Sequence, residues 1–315
     1  MGSKHKIKVG IIGGSGLSDP GNQILKSTST IKRESAENDF GLPSSNLFEG
    51  SIAGVDVVLI SRHGVGHTIN PSAVNYRANI EALRAAGCTH VLASTACGSL
   101  TESIDRGHLI IPDSFIDRTI HRKGTLYDGT SPKYPGVCHI PMEPAFDPHT
   151  SGILERAAKE LGFSVRKGGT LVTIEGPRYS SKAESNAFRQ WGGHLVNMTS
   201  CPEVTLAKEA GLLYGAVAMA TDYDCWKESE GVVCTSDVLA VFKKNVSRVT
   251  DLLVKAVELI GQENWDQKID DLKKYTLQEI KKNVHLQELD GELVLGHPAQ
   301  FIAAKHIRLS LMGRT

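Results

Sequence analysis

The sequence predicts an α/β fold, a single domain whose buried, parallel or mixed sheet is flanked by helices. Two observations carry this expectation. Apolar runs of strand length alternate with amphipathic stretches along most of the chain. Several of those stretches have proline at the start and glycine at the stop, as helices do. No repeat, low-complexity segment or proline-rich linker divides the chain. Its 315 residues, 40% of them apolar, suffice for one sizeable core.

The elements follow in order. Residues 7–16, "IKVGIIGGSG", read as a buried strand and a glycine turn, and 54–64, "GVDVVLISRHG", as a strand ending on Arg62 and His63. Residues 70–87 read as a helix with Asn70 as N-cap, Pro71 at the first helical position and Gly87 as stop. "THVLASTACGS" and "GHLIIPDSFID" are the next strands. "TSGILERAAKELG" is a helix with Ile153, Ala157 and Leu161 on one face. "GGTLVTIEGPRYS" is a strand running into a turn, "SKAESNAFRQWGG" a helix, "HLVNMTS" a short strand, and "PEVTLAKEAG" a helix. An apolar run from Leu212 to Met219 ends in "TDYD", and a helix follows from Ser236 to Gly261. Beyond about residue 265 the chain reads as polar and irregular; a catalytic domain is expected over 7–285 and a separate tail over 286–315.

Composition excludes several roles. Lys+Arg and Asp+Glu balance at 35 each, so no global field recruits nucleic acid or an anionic membrane. None of the six cysteines forms a C-x-x-C pair and most lie in apolar runs, which favours a reduced protein over a disulfide framework or a metal site. The basic N-terminus is followed by a short, glycine-broken apolar stretch, unlike a secretory signal, and Lys6 defeats a myristoylation motif. No run reaches the roughly 18 apolar residues of a membrane span. A soluble cytoplasmic protein is expected.

Chemistry is sought at strand ends, where loops present groups without breaking the sheet. "GGSG" at 13–16 exposes backbone N–H groups suited to an anion, though a plain tight turn accounts for it equally. It is neither a dinucleotide fingerprint, since Asp19 stands where the third glycine belongs, nor a P-loop. Arg62 can donate paired hydrogen bonds to phosphate. "STACGS" at 94–99 and "NMTS" at 197–200 add hydroxyl and amide donors, with tight packing and helix capping as the bland alternatives. Together the four ends suit a phosphate-sized ligand. Asp222 and Asp224, at i and i+2, share one side of an extended segment. Two such acids match the N7 and 6-amino edge of adenine, and like charges side by side keep one of them protonated. A solvated turn is the alternative.

Read together, these stretches closely resemble the S-methyl-5′-thioadenosine phosphorylases, in the trimeric branch of the purine nucleoside phosphorylases. The resemblance runs from about Ile7 to residue 265, through "GIIGGSGL", "RHGVGHTINPSAVNYRANI", "STACGSL", "SFIDRT", "GVCHIPM", "VTIEGPRYSSKAES", "VNMTSCPEVTLAKEAG" and "AMATDYDCWKE". It implies the nucleoside phosphorylase fold, a mixed, partly barrel-like sheet wrapped by helices, and a homotrimer found in cytoplasm and nucleus. It implies cleavage of methylthioadenosine by inorganic phosphate, a co-substrate, with no metal or organic cofactor. The family's phosphate positions fall on Ser15, Arg62, His63, Thr95, Ala96 and Thr199, and its base and ribose positions on Tyr179, Met198, Asp222 and Asp224. Asp222 is the favoured catalytic acid, with Asp224 as helper. His139 matches a residue lent to the 5′ pocket by a neighbouring subunit; His67, Ser236 and Leu239 lie near that pocket.

Three departures stand out: Ser15 where the family has Thr, Tyr179 where it has Phe, and a segment, "KESEGVVCTSDVL", that brings Ser236 to an apolar wall. A more polar wall discriminates less against a 5′-hydroxyl, so adenosine or 2′-deoxyadenosine is expected as a further substrate. The rival readings are a phosphorylase of 6-oxopurine nucleosides, which the aspartate pair disfavours, and a non-catalytic nucleoside-binding protein, which would have lost Arg62, His63, Thr95 or Thr199.

Overall fold

The computed structural model describes residues 3–14, 25–230, 233–283, 286–289 and 292–295. In chain order the elements are β1 (Lys8–Gly13), β2 (Lys26–Ile31), β3 (Leu47–Ile52), β4 (Val55–Ser61), α1 (Tyr76–Ala85), β5 (His90–Ser99), β6 (Leu109–Ile111), β7 (Ser114–Arg118) and α2 (Pro148–Glu160). They continue with β8 (Val165–Lys167), β9 (Thr170–Ile174), α3 (Lys182–Gln190), β10 (Leu195–Asn197), α4 (Ser200–Glu209), β11 (Leu213–Asp222), α5 (Thr235–Gly261), α6 (Asp266–Asn283) and the β12–β13 pair (Leu286–Leu289, Glu292–Leu295).

β1 through β11 form one mixed sheet, so the expected fold class holds. β1 is parallel to β4 on one side and β5 on the other. At β5 the sheet forks. β11 runs parallel to it and leads to β6 and β8; antiparallel β10 takes its far end and leads to β9 and β7. Two residues join β6 to β7 and two join β8 to β9, so the ends of the arms meet. That is the partly barrel-like form the resemblance implied. One arm of helices, α1 and α4, buries Ile80, Leu83, Val204 and Leu206. On the other side α2 and α5 bury Ile153, Leu154, Leu252, Leu253 and Val257. Each such side chain contributes about 1.5–3 kcal/mol of burial.

Several boundaries differ from the sequence expectation, each for a local reason. Asn70 does cap, accepting from the Ser72 and Ala73 N–H groups, but it caps a single 3-10 turn. The α-helix starts after a second cap, Asn75, and Gly87 ends it at φ 85°. "GHLIIPDSFID" is two strands on opposite arms, because Pro112 and Asp113 break it. The polar strand β2 escaped notice because it lies at the sheet edge, paired only with β3. The stretch after 265 is not irregular up to residue 283: α6 packs through Ile269, and the Lys4 and His5 N–H groups donate to Asp266 at its start. No local signal announces such an anchor from the opposite end of the chain. Of the tail at 286–315, all but β12 and β13 lies outside the described residues.

Candidate active site

The site assembles where β1, β4 and β10 end and midway along β5. The Arg62 N–H donates to the Gly13 carbonyl at 3.0 Å, and the Gly14 N–H donates to Ser94 Oγ at 3.2 Å. A Cβ on Gly14 would sit 2.7 Å from the Ser94 carbonyl oxygen and 3.1 Å from Arg62 Nη1, so only glycine fits. Ser15 lies outside the described residues.

Arg62 is buried and is not the open fork the sequence suggested. Its Nε and Nη2 donate to the two Glu203 oxygens at 2.7 and 2.8 Å, and Nη1 donates to the Ser94 carbonyl at 2.9 Å. Of five N–H groups, one on each terminal nitrogen has no partner among the described residues. Burial opposes the guanidinium charge, but the Glu203 carboxylate outweighs it, so Arg62 holds its proton more tightly than usual. His63 donates from Nδ1 to the Ile69 carbonyl at 2.8 Å, which leaves Nε2 as an acceptor. Burial, then the Arg62 charge, lowers its pKa to about 3, so the ring is neutral. His67, exposed and at φ 57°, stacks on it with ring centres 4.2 Å apart.

Thr95 and Thr199 meet with hydroxyls 3.4 Å apart. Asn197 Nδ2 donates to Thr95 Oγ1 and Ser200 Oγ, and its Oδ1 accepts from the Thr173 hydroxyl. Thr199 occupies the N-cap position of α4 without a side-chain capping bond. Capping therefore does not explain this threonine, and its hydroxyl faces Thr95 instead. Ala96 follows, half-buried, its carbonyl receiving the Thr95 hydroxyl at 3.3 Å.

The aspartates stand further along the same strand. β11 pairs with β5 so that Ala218 faces Thr95 and, past a bulge at Thr221, Asp222 faces Gly98. Three residues of strand separate the Gly98 backbone from that of Thr95 by about 10 Å. Both aspartates are buried. They do not converge by strand pleat, as the i, i+2 spacing suggested. β11 stops at Asp222 and Asp224 adopts φ 48°, its N–H donating to Asp222 Oδ1 at 2.8 Å. Thr221 donates to Asp222 Oδ2 at 2.8 Å. Gly98 makes room: a Cβ there would lie 2.9 Å from Asp222 Oδ1 and 3.2 Å from the Asp224 Cβ.

Burial is the leading cause that raises the pKa of both acids; repulsion from Asp224 is a lesser contribution for Asp222, against the like-charge expectation. The Ser185 and Ser180 hydroxyls are near enough to temper the rise at Asp224, yet no hydrogen bond closes. Asp224 Oδ2, Ser180 Oγ and Ser185 Oγ are buried without a hydrogen-bond partner among the described residues. The acids line a cleft with Arg106, Cys234, Asp237 and Val241.

Other expected residues scatter more widely. Tyr179 is half-buried, and its hydroxyl meets Thr235 Oγ1 at 3.2 Å. Ser236 meets Cys234 Sγ at 3.0 Å, and Leu239 is exposed. Thus Thr235, absent from the sequence reading, is the residue of this segment that reaches Tyr179. Met198 packs against the Ile174–Val196 cluster, and a Cβ on Gly176 would strike its sulfur at 2.6 Å. His139 is exposed on the long 119–147 loop, and no hydrogen bond or ring contact joins it to the other site residues. Arg122 and Glu203 were also missed. Arg122 Nη1 grips the Met198 and Cys201 carbonyls at 2.7 Å each, and its Nε pairs with Glu175 at 3.0 Å. Neither has a local sequence signal, because each acts through a residue distant in the chain.

A cluster of anion donors and, farther along β5, a buried acid pair define an enzyme that joins a small anion to a base-bearing substrate. The model of the Phosphorylase superfamily matches residues 8–258. Similar proteins include the S-methyl-5′-thioadenosine phosphorylases of Anopheles gambiae, 57% identical over 85% of this chain and 95% of that one, and of Aedes aegypti, 58% identical over 85% and 94%. Among solved structures, methylthioadenosine phosphorylase from Schistosoma mansoni with adenine is 41% identical, with a TM-score of 0.83 over 88% of this chain and all of that one. A point mutant of the Schistosoma enzyme with methylthioadenosine gives 40% and 0.82 over 88% and 99%. The chain belongs to the S-methyl-5′-thioadenosine phosphorylase family.

Proposed function

We propose that this chain cleaves S-methyl-5′-thioadenosine with inorganic phosphate, giving adenine and 5-methylthioribose 1-phosphate. The observation that carries the reading is the shared strand: donors at Thr95 and raised-pKa acids at Gly98, about 10 Å apart. Phosphate is held by Arg62, Thr95, Thr199 and the Ala96 backbone, with Ser15 joining them as the family resemblance implies and neutral His63 Nε2 accepting a phosphate proton. As the C1′–N9 bond breaks, its electron pair moves onto the purine and positive charge grows on the ribose. A phosphate oxygen then bonds to C1′. Protonated Asp222 gives its proton to N7 and later regains one from solvent. Asp224 Oδ2, with no hydrogen-bond partner among the described residues, accepts from the 6-amino group. Tyr179 faces the base and Met198 the ribose. The reading uses no metal or organic cofactor.

Two finer points belong to the same reading. The hydroxyls of Tyr179 and Thr235, with Ser236 beside them, make the 5′ wall polar enough for adenosine to be a second substrate; the Schistosoma relative is described as an adenosine/methylthioadenosine phosphorylase. A homotrimer gives exposed His139 a role, in a neighbour's 5′ pocket.

The test is adenine release from methylthioadenosine and from adenosine, each with and without phosphate. Phosphate-dependent release from the first supports the reaction, and release from the second supports the polar wall. Phosphate-independent release, or none, overturns it. Sedimentation at a trimer's mass checks the assembly.

A further inference from the structure

We propose that Glu203 is the positioning residue of the phosphate site, fixing the plane of the Arg62 guanidinium so that its two uncommitted N–H groups face the anion. The proposal rests on the phosphate reading above. Glu203 belongs to α4, four residues after Thr199, and is buried with Arg62, side chains 1% and 2% exposed. Two parallel bonds of 2.7 and 2.8 Å hold one edge of the guanidinium, and the Ser94 carbonyl holds Nη1. Glu203 Oε1 is itself fixed by the buried Tyr214 hydroxyl at 2.8 Å. Three bonds to two elements, α4 and β5, leave the guanidinium no rotation in its plane.

A buried ion pair is a weak source of stability, since well-packed apolar residues of the same volume serve as well or better. Here the pair and a tyrosine hydroxyl are buried; Arg62 is bonded to Ser94, which precedes Thr95, and Glu203 is carried on the helix that follows Thr199. The pair is therefore better explained by what it aims than by what it stabilises. Glu203 also offsets the Arg62 charge, so recognition rests on donor direction more than on net positive charge.

The experiment compares KM for phosphate and for methylthioadenosine in Glu203→Asp, which keeps the charge but withdraws it by one methylene. Phosphate KM is expected to rise about tenfold, with nucleoside KM within about twofold and an unchanged melting temperature. Tyr214→Phe leaves both charges in place and loosens only Oε1; an approximately threefold rise in phosphate KM is expected, and it decides the matter if Glu203→Asp does not fold. Equal changes in both KM values, or none in phosphate KM, overturn the positioning role. Thr199→Val separates the two ideas. If it too leaves phosphate KM unchanged, the phosphate reading falls; if it alone raises phosphate KM, only the role of Glu203 falls.

Discussion

Around Arg62 the protein fixes its own donors and keeps two guanidinium N–H groups for a ligand: the guanidinium is held by a carboxylate and a carbonyl, Asn197 bonds on both ends, and Thr95 meets Thr199. Around Asp224, which follows the strand paired farther along β5, a carboxylate oxygen and two serine hydroxyls are buried without a hydrogen-bond partner among the described residues. The first region is rigid before a ligand arrives and suits a small, symmetrical anion. The second leaves unmet acceptors and donors, which normally cost stability and are rare in a native interior. A planar group with its own donors and acceptors meets that need. In the reaction proposed above, rigidity marks the end that holds the attacking reagent, and unmet polarity marks the end that recognises the leaving base.

The sharpest way to break this contrast is Asp222→Asn. It keeps size and one accepting oxygen but removes the transferable proton, so turnover should fall about 10³-fold while the chain stays folded. Near-normal turnover would remove Asp222 from the chemistry. A control for burial alone comes from Glu209, which accepts from the Thr125 hydroxyl and the Leu126 N–H. Burial raises its pKa from 4.5 to about 7, ahead of the two hydrogen bonds that lower it. Between those values the folded chain binds the extra proton. Its contribution is therefore whole below pH 4.5 and is lost as pH rises through 7, roughly 3 kcal/mol in all. Glu209→Gln should flatten that decline in urea unfolding at pH 5 and 8 without touching turnover; an unchanged slope would disprove the assignment.

Gly98→Ala sharpens the acid end. The new methyl meets Asp222 Oδ1 at 2.9 Å, so a cost of about 1–3 kcal/mol should appear as lost turnover together with a lower melting temperature. A fully active variant would mean that the two acids need not sit as they do. At the donor end, Thr199→Val should raise phosphate KM about tenfold while leaving the melting temperature in place, because this hydroxyl caps nothing. Loss of stability without a change in phosphate KM would return Thr199 to an ordinary helix terminus.

Much of this was legible in the sequence because strand ends announce themselves. Gly14, Arg62, Thr95, Thr199 and Asp222 all follow apolar runs, and the structure joins Gly14 and Arg62 to Ser94, and Thr95 to Thr199, while Thr95 itself lies within β5 and Asp222 pairs farther along it. What the sequence hid was pairing across the fold. Nothing near Arg62 foretells Glu203, 141 residues on. Nothing near Met198 foretells Arg122, which arrives from the 119–147 loop. The aspartates were found for a reason that holds only in part: the spacing is right, but a turn with positive φ at Asp224, rather than a pleat, brings them together. The hydroxyl opposite Tyr179 belongs to Thr235, a neighbour of the residue singled out, because the helical turn there aims one position earlier.

The single strand carrying both ends has a consequence for how such a chain can diverge. Between Thr95 and Gly98 each residue alternates faces and adds a fixed rise, so one inserted or deleted residue would turn every later side chain over and shift the distance by about 3.3 Å. Length here is a molecular gauge. Descendants of this chain can exchange residues along that stretch, but they cannot lengthen or shorten it and still measure the same nucleoside.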